Sequence, residues 1–378
     1  NRFNNIIEIK NIQDVNISKE IILNYLEQEN RKLNSDQLEY INNIYQKVQF
    51  PFYLKIISQE VKNWKSDFSD FELPNDKEEA VNKFIDNLVE KRHHNKLLVE
   101  KFFSYIFASQ FNLNESTLYH ILSNDEELIK SINNIYHQNI IYIPLSIWSR
   151  FFYDISPFIK ENESGNISFF HREFNNSIEK YYNHEASSKL LNIIEKLINE
   201  SNNEVYLFKL LEIYIHTLCY ETENFDIESK ERIDFLLSNS TNIELCENII
   251  NFMFELENKY RQVNYSKKAI SYAQNLYFFI KELYSNDKDR WLGDYSRSLN
   301  NLALSYSKTN RTTDAIKLQE EAKKITEEAY LKDKDRWIED YSRCLNNLAV
   351  LYSKTNRTDE AIKLQEEAKK ITEEAYLK

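Results

Sequence analysis

DKDRWLGDYSRSLNNLALSYSKTNRTTDAIKLQEEAKKITEEAYLK (Asp287–Lys332) is followed at once by DKDRWIEDYSRCLNNLAVLYSKTNRTDEAIKLQEEAKKITEEAYLK (Asp333–Lys378). The two stretches align without a gap, with 39 positions matching and 7 differing. Self-similarity at a fixed period of this length marks a helical solenoid, in which each unit buries its apolar face only against its neighbours. Such stacks offer long concave surfaces to other macromolecules, so the repeat points to recognition rather than chemistry. Within the first unit, Leu299, Leu302, Ala303 and Tyr306 recur at helical spacing, as do Ala315, Ile316, Leu318, Ala322 and Ile325. KTNRT (Lys308–Thr312) reads as the polar turn between two helices, with Asn310 placed to take the left-handed conformation that closes the first. Ala303, Ala315 and Ala322 mark where the helices approach closely, with Tyr306 filling the gap beside them. A degenerate third unit precedes these two in register. Leu256, Tyr260, Ala269 and Ile270 stand 46 residues before Leu302, Tyr306, Ala315 and Ile316.

Composition agrees with helices. Four Pro and two Gly in 378 residues leave almost no turn punctuation for a β-rich fold. A net charge of −12 argues against a phosphate-binding surface over the whole chain, and hence against nucleic acid, while leaving room for a local basic patch. Cys219, Cys246 and Cys344 show neither paired nor metal-like spacing, and an odd number of isolated thiols suits a reducing cytoplasm. The apolar stretch around 140–148 is broken by Pro144 and too short to span a bilayer. His93-His94 has no further His or Cys at ligand spacing and reads as a solvated pair. The chain stops at a repeat boundary and opens at Asn1 without an initiator Met, so it reads as a piece of something longer.

Upstream of the repeats the texture changes. NRFNNIIEIKNI (Asn1–Ile12) alternates like the last strand of a domain. SKEIILNYLEQEN (Ser18–Asn30) reads as an amphipathic helix with a Ser cap, and SDQLEYINNIYQKV (Ser35–Val48) repeats the pattern. FPFYLKIISQEVKNW (Phe50–Trp64) follows, with Pro51 at a helix start where its missing N–H is harmless. After a loop around 65–76, another helix ends near KRHHNK (Lys91–Lys96). KLLVEKFFSYIFASQF (Lys96–Phe111), NESTLYHIL (Asn114–Leu122) and DEELIKSINNIY (Asp125–Tyr136) then read as three helices. IPLSIWSRFFYDISPFIKEN (Ile143–Asn162) passes into a hairpin at ESGN (Glu163–Asn166), and ISFFHREFNNSIEKYY (Ile167–Tyr182) leaves it as a helix. Helices, a two-strand wing and a closing helix describe a winged-helix domain.

The 46-residue units resemble tetratricopeptide repeats, specifically the longer variety of kinesin light chains and related bacterial proteins, whose first helix reads much like LNNLALSYSK (Leu299–Lys308). That resemblance implies that the first helix of each pair lines a concave groove. Arg297, Asn300, Asn301, Leu304 and Lys308 would face a protein ligand there, with Arg343, Asn346, Asn347, Val350 and Lys354 one unit on. Asn carboxamides suit such a role because they offer both donors and an acceptor to a bound backbone. They equally suit bonds between neighbouring helices, or plain solvation.

The order of parts, with SIWSRFFYDISPFI and SFFHREF as its motifs, resembles the C-terminal half of a STAND NTPase of the NACHT type. The relatives so implied include NOD-like receptors and bacterial antiviral proteins that sense phage components. The expected fold is therefore mainly α. It would comprise a terminal NTPase strand (1–12), a helical domain (13–94), a winged-helix domain (95–184), a helical connector (185–249) and the repeat solenoid (250–378). The resemblance implies ATP or ADP with Mg in the full-length parent, an N-terminal effector, and homo-oligomerisation on activation. It places His171 of FFHREF at the β-phosphate of ADP, where an imidazole can donate to phosphate and titrate near neutrality. A His packed at the base of the wing is the alternative. Pro51 would lie beside the adenine, although this chain has Gln49-Phe50 where the family usually has Gly before the Pro. No GxxxxGK[ST] occurs, so this stretch alone neither cradles nor hydrolyses a nucleotide. Two other readings stay open: a helical-repeat scaffold without a nucleotide switch, and an ATP-dependent winged-helix transcription regulator. The acidic run Asp125, Glu126 and Glu127 counts against the latter.

Overall fold

A computed structural model describes residues 15–376, apart from 28–29, 63, 66–71, 138, 171, 180–183, 202, 222–226, 240–242 and 263–265. The expected strand at 1–12 therefore lies outside the described residues. The chain divides into two compact units, one running to Ile193 and the other from Ile194 onward.

The first unit opens with α1 (Val15–Glu27), α2 (Ser35–Val48), α3 (Pro51–Val61) and α4 (Lys77–Glu90). It continues through α5 (Lys96–Ala108), α6 (Glu115–Ser123), α7 (Glu126–Tyr136) and α8 (Leu145–Ile155). A short 3-10 turn then leads into β1 (Ile159–Glu161), β2 (Ile167–Phe169) and α9 (Arg172–Glu179). The helix starts follow local chemistry. Asn34 closes a capping box with Gln37, and Asp76, Asn95, Asn114 and Asp125 each accept from the third residue on. Two starts differ from the sequence reading. Ser18 lies inside α1, fully buried with its hydroxyl 3.5 Å from Asn42 Oδ1, and Asn34 rather than Ser35 caps α2.

The ESGN hairpin forms as read. Ile159 pairs with Phe169 and Glu161 with Ile167 in antiparallel register. Asn162 Oδ1 accepts from the backbone of Ser164 (2.9 Å) and Asn166 (3.0 Å), while Gly165 takes φ 73°, a conformation that costs glycine little. The hairpin is seated on rings. Phe158 lies 4.3 Å from Phe84, Phe169 stacks on Phe174 at 5.2 Å, and Phe52 meets Phe174 edge-on at 5.8 Å. Each such pair contributes about 0.5–1.5 kcal/mol beyond its area.

Two charged clusters tie this unit together. Lys101 is buried and donates to both oxygens of Asp125 (2.6 and 2.5 Å) and to Glu127 (2.9 Å), while the Tyr105 hydroxyl also donates to Asp125. Glu127 is held down to about 2 by its bonds from Lys189 and Lys101. Of the acidic run at 125–127, Asp125 is buried on Lys101, Glu127 pairs with Lys101 and Lys189 while still exposed, and Glu126 is exposed. At the end of α4, His93 turns left-handed (φ 55°) and His94 is buried, 2.8 Å from Asp154 Oδ2. For His94 this corrects the reading of the doublet as solvated, while His93 is exposed as read: His94 packs edge-on against Phe151 and lies beneath a carboxylate that also takes Arg92 at 2.6 Å.

From Ile194 onward the chain is helical throughout its described part. After α10 (His184–Glu200), which begins before that boundary, come α11 (Glu204–Glu221) and α12 (Ile227–Asn239). Three helix pairs follow: α13 (Ile243–Gln262) with α14 (Ser266–Asn286), α15 (Lys288–Lys308) with α16 (Thr312–Lys332), and α17 (Lys334–Lys354) with α18 (Thr358–Tyr376). In the degenerate pair, α14 starts 46 residues before α16 and α13 starts 45 residues before α15, in keeping with its four matching positions. Asn310 and Asn356 take φ 61° and 60°, closing α15 and α17 as read. Ala303, Ala315, Ala322, Ala349, Ala361 and Ala368 are all buried, so no side chain holds adjacent helices apart. The fold is mainly α, an α-solenoid of tetratricopeptide-like pairs preceded by a helical region with one two-stranded hairpin.

Candidate functional site

Consecutive units are joined by contacts that recur one period apart. Gln274 Nε2 donates to the Tyr306 hydroxyl at 2.8 Å, and 46 residues on the Tyr352 hydroxyl donates to Glu320 at 2.7 Å. Tyr284 stacks on Tyr295 at 4.5 Å, and Tyr330 on Tyr341 at 5.2 Å. Inside each unit the tyrosine of the first helix donates to a glutamate of the second, Tyr295 to Glu321 and Tyr341 to Glu367, both at 2.6 Å. Arg311 and Arg357 lie over Tyr306 and Tyr352 at 3.8 and 3.6 Å. Burial, then the bond to Glu320, pushes the Tyr352 hydroxyl up to about 12, so it stays a donor at any physiological pH. These recurring locks fix the pitch of the stack.

On that face the ten expected groove residues separate into two sets. Arg297, Lys308, Arg343, Asn346 and Lys354 are exposed, as are Leu304 at 44% and Val350 at 50%. Arg297 lies over the Phe254 ring at 3.9 Å, Arg343 donates to Asp340 at 3.0 Å, and Lys354 donates to Ser307 at 3.1 Å. The other three carboxamides are turned inward. Asn300 donates to the Ser296 carbonyl (2.9 Å) and accepts from Gln319 (2.6 Å) and Asn347 (3.1 Å), with Cys344 Sγ 3.5 Å away. Asn301 donates to Glu257 at 2.9 Å. Asn300, Asn301 and Asn347 thus perform the helix-bridging role that the sequence left open beside ligand contact.

The exposed row carries four cations and two aliphatic side chains. It extends further than the sequence reading took it: one period upstream of Arg297, Leu304 and Lys308 stand Asn251, Asn258 and Gln262, all exposed on α13. The period itself could have located them. Beneath the row, Glu257 is fully buried between Asn301 and Arg261 (3.7 Å); burial raises its carboxyl pKa against the pull of Arg261 and the Asn301 bond. Of the two residues expected at a nucleotide, His171 lies outside the described residues. Pro51 stands at the first position of α3, with only its backbone described. Among the described residues no group of three His, Cys, Asp or Glu is placed to hold a metal, and no helix is long and apolar enough to cross a membrane.

The tetratricopeptide repeat family model matches residues 294–374. That match takes in most of both near-identical units and does not reach the α13–α14 pair. No curated protein matches the chain. Among solved structures, one similarity is to the crystal structure of a Signal Transduction ATPase with Numerous Domains (STAND) protein with a tetratricopeptide repeat sensor from Pyrococcus horikoshii. It has 14% identity and a TM-score of 0.23, covering 94% of this chain and 59% of that one. At that score the likeness leaves the fold to rest on the helices described above.

Proposed function

We propose that the tetratricopeptide repeats bind a protein ligand along the first-helix face, as the sensing portion of a STAND NTPase of the NACHT type. The observation that carries the reading is the exposed row Arg297, Leu304, Lys308, Arg343, Val350 and Lys354, in which two cations and an aliphatic side chain recur one unit apart, with Asn346 exposed beside them. Four cations flanking two aliphatic side chains suit an acidic partner surface that also offers apolar side chains. A phage protein is the proposed ligand class, and the cytoplasm the proposed setting. In the parent protein, ligand binding would shift a nucleotide-held closed state toward an oligomer that activates a separate effector, with ATP or ADP and Mg held elsewhere in that protein. His171 and Pro51 are proposed to touch the nucleotide, on the strength of the FFHREF and apolar-Pro-aromatic resemblance alone.

Replacing Arg297, Lys308, Arg343 and Asn346 together by Ala tests the groove, with Lys323→Ala/Lys369→Ala on the second helices as control. Proteins retained from a lysate of phage-infected cells are compared by mass spectrometry. A ligand held by wild type and control but lost by the groove variant, at unchanged helicity and Tm, is expected. A ligand lost only by the control would move the sensing face to the second helices. For the switch, His171→Ala in the parent should weaken ADP retention and raise basal activity, whereas unaltered retention and activity would remove His171 from it.

A further inference from the structure

The C-terminal half of α3, α4 and α8 enclose a cleft of about 490 Å³ in the first unit, within the range of small-molecule sites. Its floor is apolar, with Ile56, Leu73, Ala80 and Phe84 all buried. Around it stand four cations, Lys83, Lys91, Arg92 and Arg150, against two carboxylates, Glu60 and Asp154. Both carboxylates are saturated from within. Glu60 pairs with Lys91 and accepts from Asn87 Nδ2 at 2.9 Å, while Asp154 takes Arg92 at 2.6 Å and His94 at 2.8 Å. The other two cations are left to neutral partners. Lys83 donates to the Glu72 carbonyl at 3.1 Å and Arg150 to the carbonyl of Arg92, and no described carboxylate pairs with either. A cleft with two uncompensated cations above an apolar floor is a local exception in a chain of net charge −12.

We propose that this cleft binds a small ligand made of a flat apolar body and an anionic head, a carboxylate or a phosphate. The apolar body lies against the Phe84 side, and the head is taken by Lys83 and Arg150. An anion there gives each cation a charged acceptor in place of a neutral carbonyl, and a carboxylate or phosphate matches the planar fork of Arg150. The buried floor supplies the apolar contact that a bare inorganic ion would forgo. This proposal is independent of the groove and of any nucleotide switch.

The probe is 8-anilinonaphthalene-1-sulfonate, an aromatic body with one anionic head, titrated by fluorescence into the full chain. Saturable one-to-one binding is expected, at least tenfold weaker for Lys83→Ala/Arg150→Ala and within about threefold of wild type for Arg150→Lys. Lys323→Ala/Lys369→Ala, outside this unit, should leave the titration unchanged. Displacement by phenyl phosphate or by benzoate supports the proposal and identifies the head group. Displacement by neither, or equal affinity of the folded double Ala variant and wild type, overturns it. So does equal affinity for the neutral analogue N-phenyl-1-naphthylamine. Circular dichroism of every variant confirms that a lost signal is not lost fold.

Discussion

His216 shows what burial does to one titratable group. Its Nδ1 lies 2.9 Å from the Tyr272 hydroxyl, and burial, reinforced by Lys259, Lys209 and Lys268, pushes the imidazole down to about 3. Folded, it stays neutral; unfolded, it takes a proton below its ordinary value near 6.5. Its contribution is therefore intact above about pH 6.5 and erodes as pH falls toward 3, by roughly 1.4 kcal/mol per pH unit. Denaturant titrations at pH 7 and pH 5 should show a smaller stability loss for His216→Gln than for wild type, and equal losses would refute the assignment. Lys101 is the complementary case. Lys101→Met leaves Asp125 buried without its cation, which should cost about 3–5 kcal/mol, read as a lowered denaturation midpoint for the first unit. A loss below about 1 kcal/mol would mean that Tyr105 and the α7 N-terminus carry Asp125 without help.

At the scale of elements, the close-packed alanines set the spacing of the helix pairs. Ala315→Leu or Ala322→Leu inserts three carbons where both residues are fully buried, and should destabilise the repeats by about 1–3 kcal/mol. Unchanged melting in both variants would contradict the contact. The elements were largely legible because their determinants are local: caps at Asn114 and Asp125, a left-handed Asn310, a Gly at the hairpin, and apolar spacing within each helix. What escaped was set by distant partners. His94 looks like half of a polar doublet until Asp154, sixty residues on, covers it. Asn300 and Asn346 sit in the same LNNLA context, yet one is buried and the other exposed, because α17 and Gln319 enclose only the first. No local reading could separate them. The groove row was legible through the period, while the cleft between α3, α4 and α8 joins residues from Ile56 to Asp154 and left no motif behind.

On the scale of the whole repeat array, the tyrosine locks between units are written in one register. Removing Asp287–Lys332 should let Gln274 meet Tyr352 and Tyr284 meet Tyr341, the pairings that Tyr306 and Tyr295 make now. The shortened chain is expected to keep its helicity per residue and to melt in one transition at lower temperature, because nearest-neighbour terms dominate such stacks. Separate melting of the residual pair, or loss of its helix signal by circular dichroism, would show that the junctions are not interchangeable.

Interchangeable junctions also matter to the gene. A crossover between misaligned copies of the coding repeat adds or deletes a whole unit, and the protein meets that event with no new interface to invent. Each such event lengthens or shortens the exposed row by one step of two cations and an aliphatic side chain. The seven positions at which the two copies already differ include Leu304/Val350 on that row, while every lock residue of the first helices is unchanged. Recognition can thus drift by point substitution and change in reach by recombination, with the framework left as it was.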